Sequence, residues 1–332
     1  MNLKQATTIL AITLLHLCPT TIFAQAQTPT QTILIDTDIG DDIDDAYALA
    51  LTLASPDIKI LGISSAWGDT ALRSRMIDRL LCETGRDDIP SLTGIEKTTH
   101  GAANFSQQPW AAAGIPHPHK DAIAFLLDQA TQHPGQITLL AIAPLTNIGA
   151  AIDRDPAAFR KLKRVVLMGG SVYKGYSDGL GITPPAPPSR EYNIAMDPAA
   201  AQKLFRSGVP IVMLPLDATQ LKFDETKRAL LASISTPLTD SLQVLTAEYT
   251  RNTHWPTPTM FDVVAAATLI DPAICPTTPL HIDIDATGDT RPTPGTPNAN
   301  VCLTPNEQAF NQLLLTRLLN QKLTPTHTCT NP

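Results

Sequence analysis

Six of the ten residues from Asp36 to Asp45 are aspartates, within the stretch ILIDTDIGDDIDDAYALALTLA that begins at Ile33. An apolar run leads in and an apolar, helix-like run leads out, so the charges sit where a core strand meets a core helix. Two unit charges ~4 Å apart repel by roughly 4 kcal/mol at an effective dielectric of ~20. Several such pairs on a buried edge require either a cation or protonation. Hard oxygen donors suit calcium or magnesium, and the dipole of the helix opened by Asp44 and Asp45 favours negative charge there. The plain alternative is a solvated acidic loop with a helix cap. The core-like flanks and the D-x-D and D-D spacing weigh against it. An EF-hand loop fails, because position twelve counted from Asp36 is Tyr47 rather than glutamate.

The elements that must position these carboxylates follow from the apolar pattern. TILID (32–36) reads as a buried strand and 44–54 as a helix. IKILGIS (58–64), QITLLAI (136–142), RVVLMGG (164–170) and PIVMLPL (210–216) read as further strands. Helical patterns fill 70–83, 120–131, 197–207, 238–251, 261–270 and 306–319. Continuous apolar strands separated by helices predict an α/β fold, a single domain with a doubly wound, mostly parallel central sheet flanked by helices. The aspartates then lie at the C-terminal edge of the first strand, where open α/β sheets bind ligands. Two segments rich in Pro, Gly and Thr interrupt the pattern. DTRPTPGTPNAN (289–300) reads as a surface loop, and SDGLGITPPAPPSR (177–190) as either a loop or an active-site flap.

The 332 residues, 43% of them hydrophobic, are enough for a large core. A net charge of -7 and only 5% aromatic residues exclude a nucleic-acid-binding surface. Residues 1–26 have the form of a secretory signal peptide: Lys4, an apolar stretch too short to span a membrane, then cleavage near Ala24–Ala26. The expectation is a secreted or periplasmic protein whose single folded domain is 27–332. Cys82, Cys275, Cys302 and Cys329 remain, an even number that permits disulfides without revealing their pairing.

The stretch DTDIGDDIDDAYALAL resembles the N-terminal signature of the inosine–uridine-preferring nucleoside hydrolase family, D-x-D-x-G-x-D-D-A running into a helix. Later segments follow in that family's order: WGDTAL (67–72), HG (100–101), APLTNIGAAI (143–152), VVLMGG (165–170), EYNIAMDPAAA (191–201) and MFDVVAAA (260–267). The resemblance implies a Ca2+ ion held by Asp38, Asp45, the backbone carbonyl of Thr146, and Asp262. It implies Asp44 as the general base on the attacking water, Glu191 and Asn193 on ribose hydroxyls, Met168 beneath the sugar, and Asp69 on a hydroxyl or on water. Asp36 is expected to support the strand end. The implied activity is hydrolysis of the N-glycosidic bond of purine or pyrimidine ribonucleosides, through an oxocarbenium-like state, to free base and ribose, in a homodimer or homotetramer.

Three departures stand out. Asp41 and Asp42 are inserted between Gly40 and the D-D-A pair, and are expected to be exposed, with supplementing the site as the alternative. Pro184, Pro185, Pro187 and Pro188 fill a region where the family places an asparagine. Phe261 occupies the position before the last metal aspartate, where many purine-cleaving members carry a histidine that protonates the leaving base. His100, His254 and Trp255 are further candidates near the base, and Tyr173 and Tyr176 could reach it from the flap. Two other readings stay open: a non-catalytic periplasmic nucleoside- or riboside-binding protein, and a metal-dependent phosphatase.

Overall fold

The apolar run ahead of the aspartates forms strand β1 (Gln31–Thr37), buried from Ile33 onward. In the computed structural model, which describes residues 31–97, 105–177 and 186–330, β1 lies at the centre of a nine-stranded sheet. The expected signal peptide, His100 and the middle of the first Pro-rich segment lie outside the described residues. The other strands are β2 (Ile58–Ser65), β3 (Ser91–Thr93), β4 (Lys120–Asp121), β5 (Ile137–Ile142), β6 (Arg164–Met168), β7 (Ile211–Leu214), β8 (Thr277–Leu280), β9 (Ile282–Ile284), β10 (Thr290–Pro292) and β11 (Ala299–Cys302). Their order across the sheet is β4-β3-β2-β1-β5-β6-β7-β11-β8, with β9 and β10 forming a separate antiparallel pair. Every neighbouring pair in the large sheet is parallel except β11–β8.

The chain winds outward from β1 to β4, then returns to lay β5 against the other side of β1. The winding direction therefore reverses between β1 and β5, and at such a switch point the diverging connections leave a crevice beyond the strand ends. Alternate side chains of β1 serve opposite faces, as the two-residue period of a strand demands. Ile33 and Ile35 join a core with helices Asp44–Leu53, Pro237–Thr253, Phe261–Ile270 and Glu307–Asn320. Leu34 joins a second core with helices Ala122–Gln132, Thr146–Arg154 and Pro198–Arg206. Helix Asp44–Leu53 is buried along its whole length, and helix Phe261–Ile270 at every position after Phe261.

The five long strands and the seven helices expected from the apolar pattern all form, with ends displaced by a residue or two. The segment 289–300 differs from its reading as a surface loop: β10 lies at its start and β11 begins at its end. Its prolines are compatible because β10 belongs to a two-stranded ribbon, where a missing donor is tolerated. Thr290 Oγ1 accepts from Ser171 N at 2.7 Å and donates to Ser171 O at 2.8 Å, tying this segment to the loop after β6. Two disulfides, Cys82–Cys329 and Cys275–Cys302, pair all four cysteines of the described chain at Cα separations of 5.6 and 5.7 Å.

Candidate active site

Asp44 and Asp45 stand in the first turn of helix Asp44–Leu53, and Asp262 in the first turn of helix Phe261–Ile270. The two N-termini converge beyond the end of β1, so that Asp262 N donates to Asp44 Oδ2 at 3.0 Å. Oxygens of Asp44, Asp45 and Asp262 all lie within 4.8 Å of one another. Burial, then the charges of the neighbouring aspartates, push all three carboxyls well above the usual carboxylate range. Thr37 donates its hydroxyl to Asp45 Oδ1, which orients that carboxylate from the end of β1. Donors that are hard, convergent, buried and mutually repelling fit a small divalent cation.

Asp38 borders the same cavity but lies outside the tight trio. Burial raises its pKa to about 7, against the opposing pull of Arg73. Asp36 points elsewhere, as expected: Ser64 Oγ and Asn147 Nδ2 donate to its Oδ1 at 2.5 and 2.7 Å. Asn147 also donates to Ser65 O at 3.0 Å, so the LTN motif fastens β5 to the ends of β1 and β2.

The inserted aspartates are not free surface charges, contrary to expectation. Arg73 is fully buried and ion-pairs with Asp41 at 2.8 Å. The same guanidinium donates to the carbonyls of Asp38, Ile39 and Trp67. Trp67 adopts a left-handed backbone at φ 63° and is buried against the cavity, so Arg73 holds a strained turn as well as the acidic loop. Gly40 permits the approach, because at φ 122° a side chain there would collide with the Phe105 ring. Ser106 Oγ and Gln107 Nε2 then accept the loop by donating to the carbonyls of Asp41 and Asp42, at 2.5 and 2.9 Å. Asp42 lines the cavity, hydrogen-bonded to Ile43 N and to Tyr249.

The cavity above the trio has a volume of about 680 Å³. Its walls include Asp38, Asp44, Asp45, Met168, Glu191, Asn193, Trp255 and Asp262 of the expected residues. Glu191 caps the short helix Tyr192–Ala195, accepting from Asn193 N and Ile194 N, and also from Gly170 N at 2.8 Å. Burial outweighs these bonds and lifts its pKa to about 7. Asn193 Nδ2 donates to Met168 O at 3.2 Å, which locks the two sugar-side candidates together. Thr146, Asp69 and His254 are not among the lining residues. Thr146 opens the helix after β5, and its hydroxyl donates to Asp197 at 3.0 Å. Asp69 is an exposed helix N-cap that accepts from Leu72 N, and His254 is an exposed left-handed C-cap. Capping explains both, since each satisfies backbone groups that a helix end leaves open. Tyr176 borders the cavity, edge-on to Phe261 with ring centroids 6.2 Å apart, whereas Tyr173 does not reach it.

Sequence reading missed Trp67, Tyr192, Gln220, Lys222, Tyr249 and Thr259, which also line the cavity. Trp67 was within reach, as it opens the WGDTAL motif. The others come from segments without a signature.

The profile of the inosine–uridine preferring nucleoside hydrolases matches residues 33–312. The chain belongs to this family. A pyrimidine-specific ribonucleoside hydrolase, RihA of Citrobacter koseri, is 29% identical across 86% of this chain and 97% of its own. Uridine nucleosidase 1 of Arabidopsis thaliana is 33% identical over 58% of this chain and 59% of its own. An uncharacterised protein of Schizosaccharomyces pombe is 36% identical over 59% of this chain and 64% of its own. Among solved structures, a plant nucleoside hydrolase (PpNRh1) superposes with a TM-score of 0.75 at 23% identity, covering 88% of this chain and 100% of that one. A purine-preferring ribonucleoside hydrolase from Gardnerella vaginalis gives 0.72 at 22% identity, covering 87% and 98%. The nucleoside hydrolase fold and the acidic trio of this chain thus agree with the resemblance read from DTDIGDDIDDA.

Proposed function

We propose that this protein is an exported, calcium-dependent nucleoside hydrolase that releases free base and ribose from ribonucleosides. The observation that carries the reading is the trio Asp44, Asp45 and Asp262, buried on the floor of a cavity large enough for a nucleoside. Asp45 and Asp262 would hold the cation, with Asp38, Asp44 and the Thr146 carbonyl as the further candidates. When bound, calcium supplies a hard positive charge that lowers the pKa of water and orients vicinal hydroxyls. Asn193 and Met168 form the sugar-side wall, and the carboxylates beside it stabilise positive charge growing on the ribose ring. A carboxylate takes the proton of the attacking water.

Two aspartates compete for that last task. The motif points to Asp44, whereas the geometry puts Asp44 inside the ion-sized cluster and leaves Asp38 beside it. Calcium titration of Asp38→Asn and Asp44→Asn separates them. The base variant keeps ion affinity and loses kcat, and the ligand variant loses both.

Export is supported by the pairing of all four described cysteines and by the signal-like leader. Among the described residues no helix is long and apolar enough to cross a membrane. A homo-oligomer is part of the same proposal. The deciding assay is ribose release from a panel of ribonucleosides, with and without calcium, with 2′-deoxynucleosides as controls. Release should require calcium and fall sharply for deoxynucleosides. Nucleoside binding without turnover would favour a binding protein instead, and phosphate release from a generic ester would favour a phosphatase.

A further inference from the structure

Cleaving an N-glycosidic bond leaves the bond's electron pair on the base nitrogen, and something must stabilise that charge. The acidic trio cannot, because it would repel it. Phe261, the wall residue next to Asp262, carries no transferable proton. Among the described lining residues the cavity is bordered by the carboxylates of Asp38, Asp41, Asp42, Asp44, Asp45, Glu191 and Asp262, by aromatic rings, and by one cationic side chain, Lys222.

Lys222 is held in register with the segment that carries Asp262. It forms an antiparallel bridge with Thr259, flanked by Met260 N to Leu221 O at 2.8 Å and Phe223 N to Pro258 O at 2.9 Å. Its Nζ donates to Thr259 Oγ1 at 2.7 Å. The ammonium is therefore bonded to a residue three positions before Asp262 in the chain. It also acts electrostatically on Asp42, the inserted residue bonded to Tyr249.

Resting on the hydrolase reading above, we propose that Lys222 is the catalytic cation for the departing base. As C1′–N breaks, the electron pair stays with the base and spreads onto its ring carbonyl or ring nitrogen, which the ammonium hydrogen-bonds. Water supplies the new C1′–O bond and gives its proton to a carboxylate. The base anion then takes a proton from solvent as that carboxylate returns its own. The ligand class this selects is a nucleoside whose base delocalises charge onto an acceptor within reach of Lys222.

The test compares leaving groups. Wild-type enzyme, Lys222→Met and Lys222→Arg are assayed in calcium with uridine, inosine and 4-nitrophenyl β-ribofuranoside, whose phenolate departs as a stable anion without help. Lys222→Met should lose ~100-fold in kcat/KM on the nucleosides and less than ~3-fold on the nitrophenyl riboside, with Lys222→Arg in between. Equal losses on all three substrates, or undiminished turnover of uridine and inosine, would overturn the assignment. Turnover of the nitrophenyl riboside by Lys222→Met also shows that the variant is folded. A wild-type enzyme inert toward all three would instead sink the hydrolase reading, and this inference with it.

Discussion

The two ends of the cavity are built on different principles. The acidic end is made from two helix N-termini and one strand end, all buried, with each carboxylate held by backbone or a neighbouring side chain. The other part of the lining includes Tyr176, Lys222, Tyr249, Trp255 and Phe261, drawn from loops and helices, and Trp255 remains 48% exposed. In the proposed reaction the rigid elements of the acidic end would hold the reacting sugar, where small displacements are expensive. Adaptable, partly exposed aromatics suit a partner whose ring can vary, since every base offers a stacking face.

Substitutions should separate the two ends by size of effect. Asp262→Asn should lower kcat/KM by at least ~10³-fold and weaken calcium binding, because it removes both a donor and charge from the trio. Retention of near wild-type turnover would show that the acidic end is not where the chemistry occurs. Arg73→Met should cost about 3–5 kcal/mol of stability, as it strands the buried charge of Asp41 and frees three carbonyls. Adding Asp41→Asn should recover part of that loss in urea unfolding. If the double variant is no better than the single one, the ion pair is not what holds the inserted loop.

The effect of pH is smaller and has a definite sign. Burial raises Glu191 to about 7 and Asp36 to about 6, both above their unfolded values. A carboxyl with a raised folded pKa contributes stability that is complete below its unfolded pKa and lost as pH rises through the folded one. In chelator, the melting temperature should therefore fall between about pH 5 and about pH 8. Calcium should oppose the fall increasingly as pH rises, since it binds the ionised carboxylates of the trio. Superimposable melting profiles with and without calcium would remove the metal from the account. The smallest expected effect is at the aromatic end. Trp255→Ala should raise KM for nucleosides about 5-fold, near 1 kcal/mol of lost stacking, with kcat little changed. A fall in kcat alone would place Trp255 in the chemistry rather than in binding.

Much of the acidic end was legible in the chain. The D-x-D and D-D-A spacing, the apolar flanks and the MFD motif name Asp38, Asp44, Asp45 and Asp262, and periodicity alone predicts the strands and helices that carry them. Asp69 and His254 stand outside the cavity lining for a local reason: each is the cap of its own helix end. The roles of Asp41 and Asp42 were illegible because their partners, Arg73 and Tyr249, lie far along the chain. Lys222, Tyr249 and Thr259 were illegible because nothing in their own neighbourhoods marks them.

By itself, the sequence determined the chain order of the five long strands and the helices between them, the doubly wound class, and the supply of carboxylates after the first strand. These follow from local periodicity and from chain order, which act over a few residues at a time. Only the tertiary structure decided that Asp262 would meet Asp44 across 218 residues, that Arg73 would take up the inserted Asp41, and that Lys222 would border the same cavity as the acidic trio. Those contacts arise from how buried helices cross and where loops are pinned, which depends on the whole packed core rather than on any one segment of it.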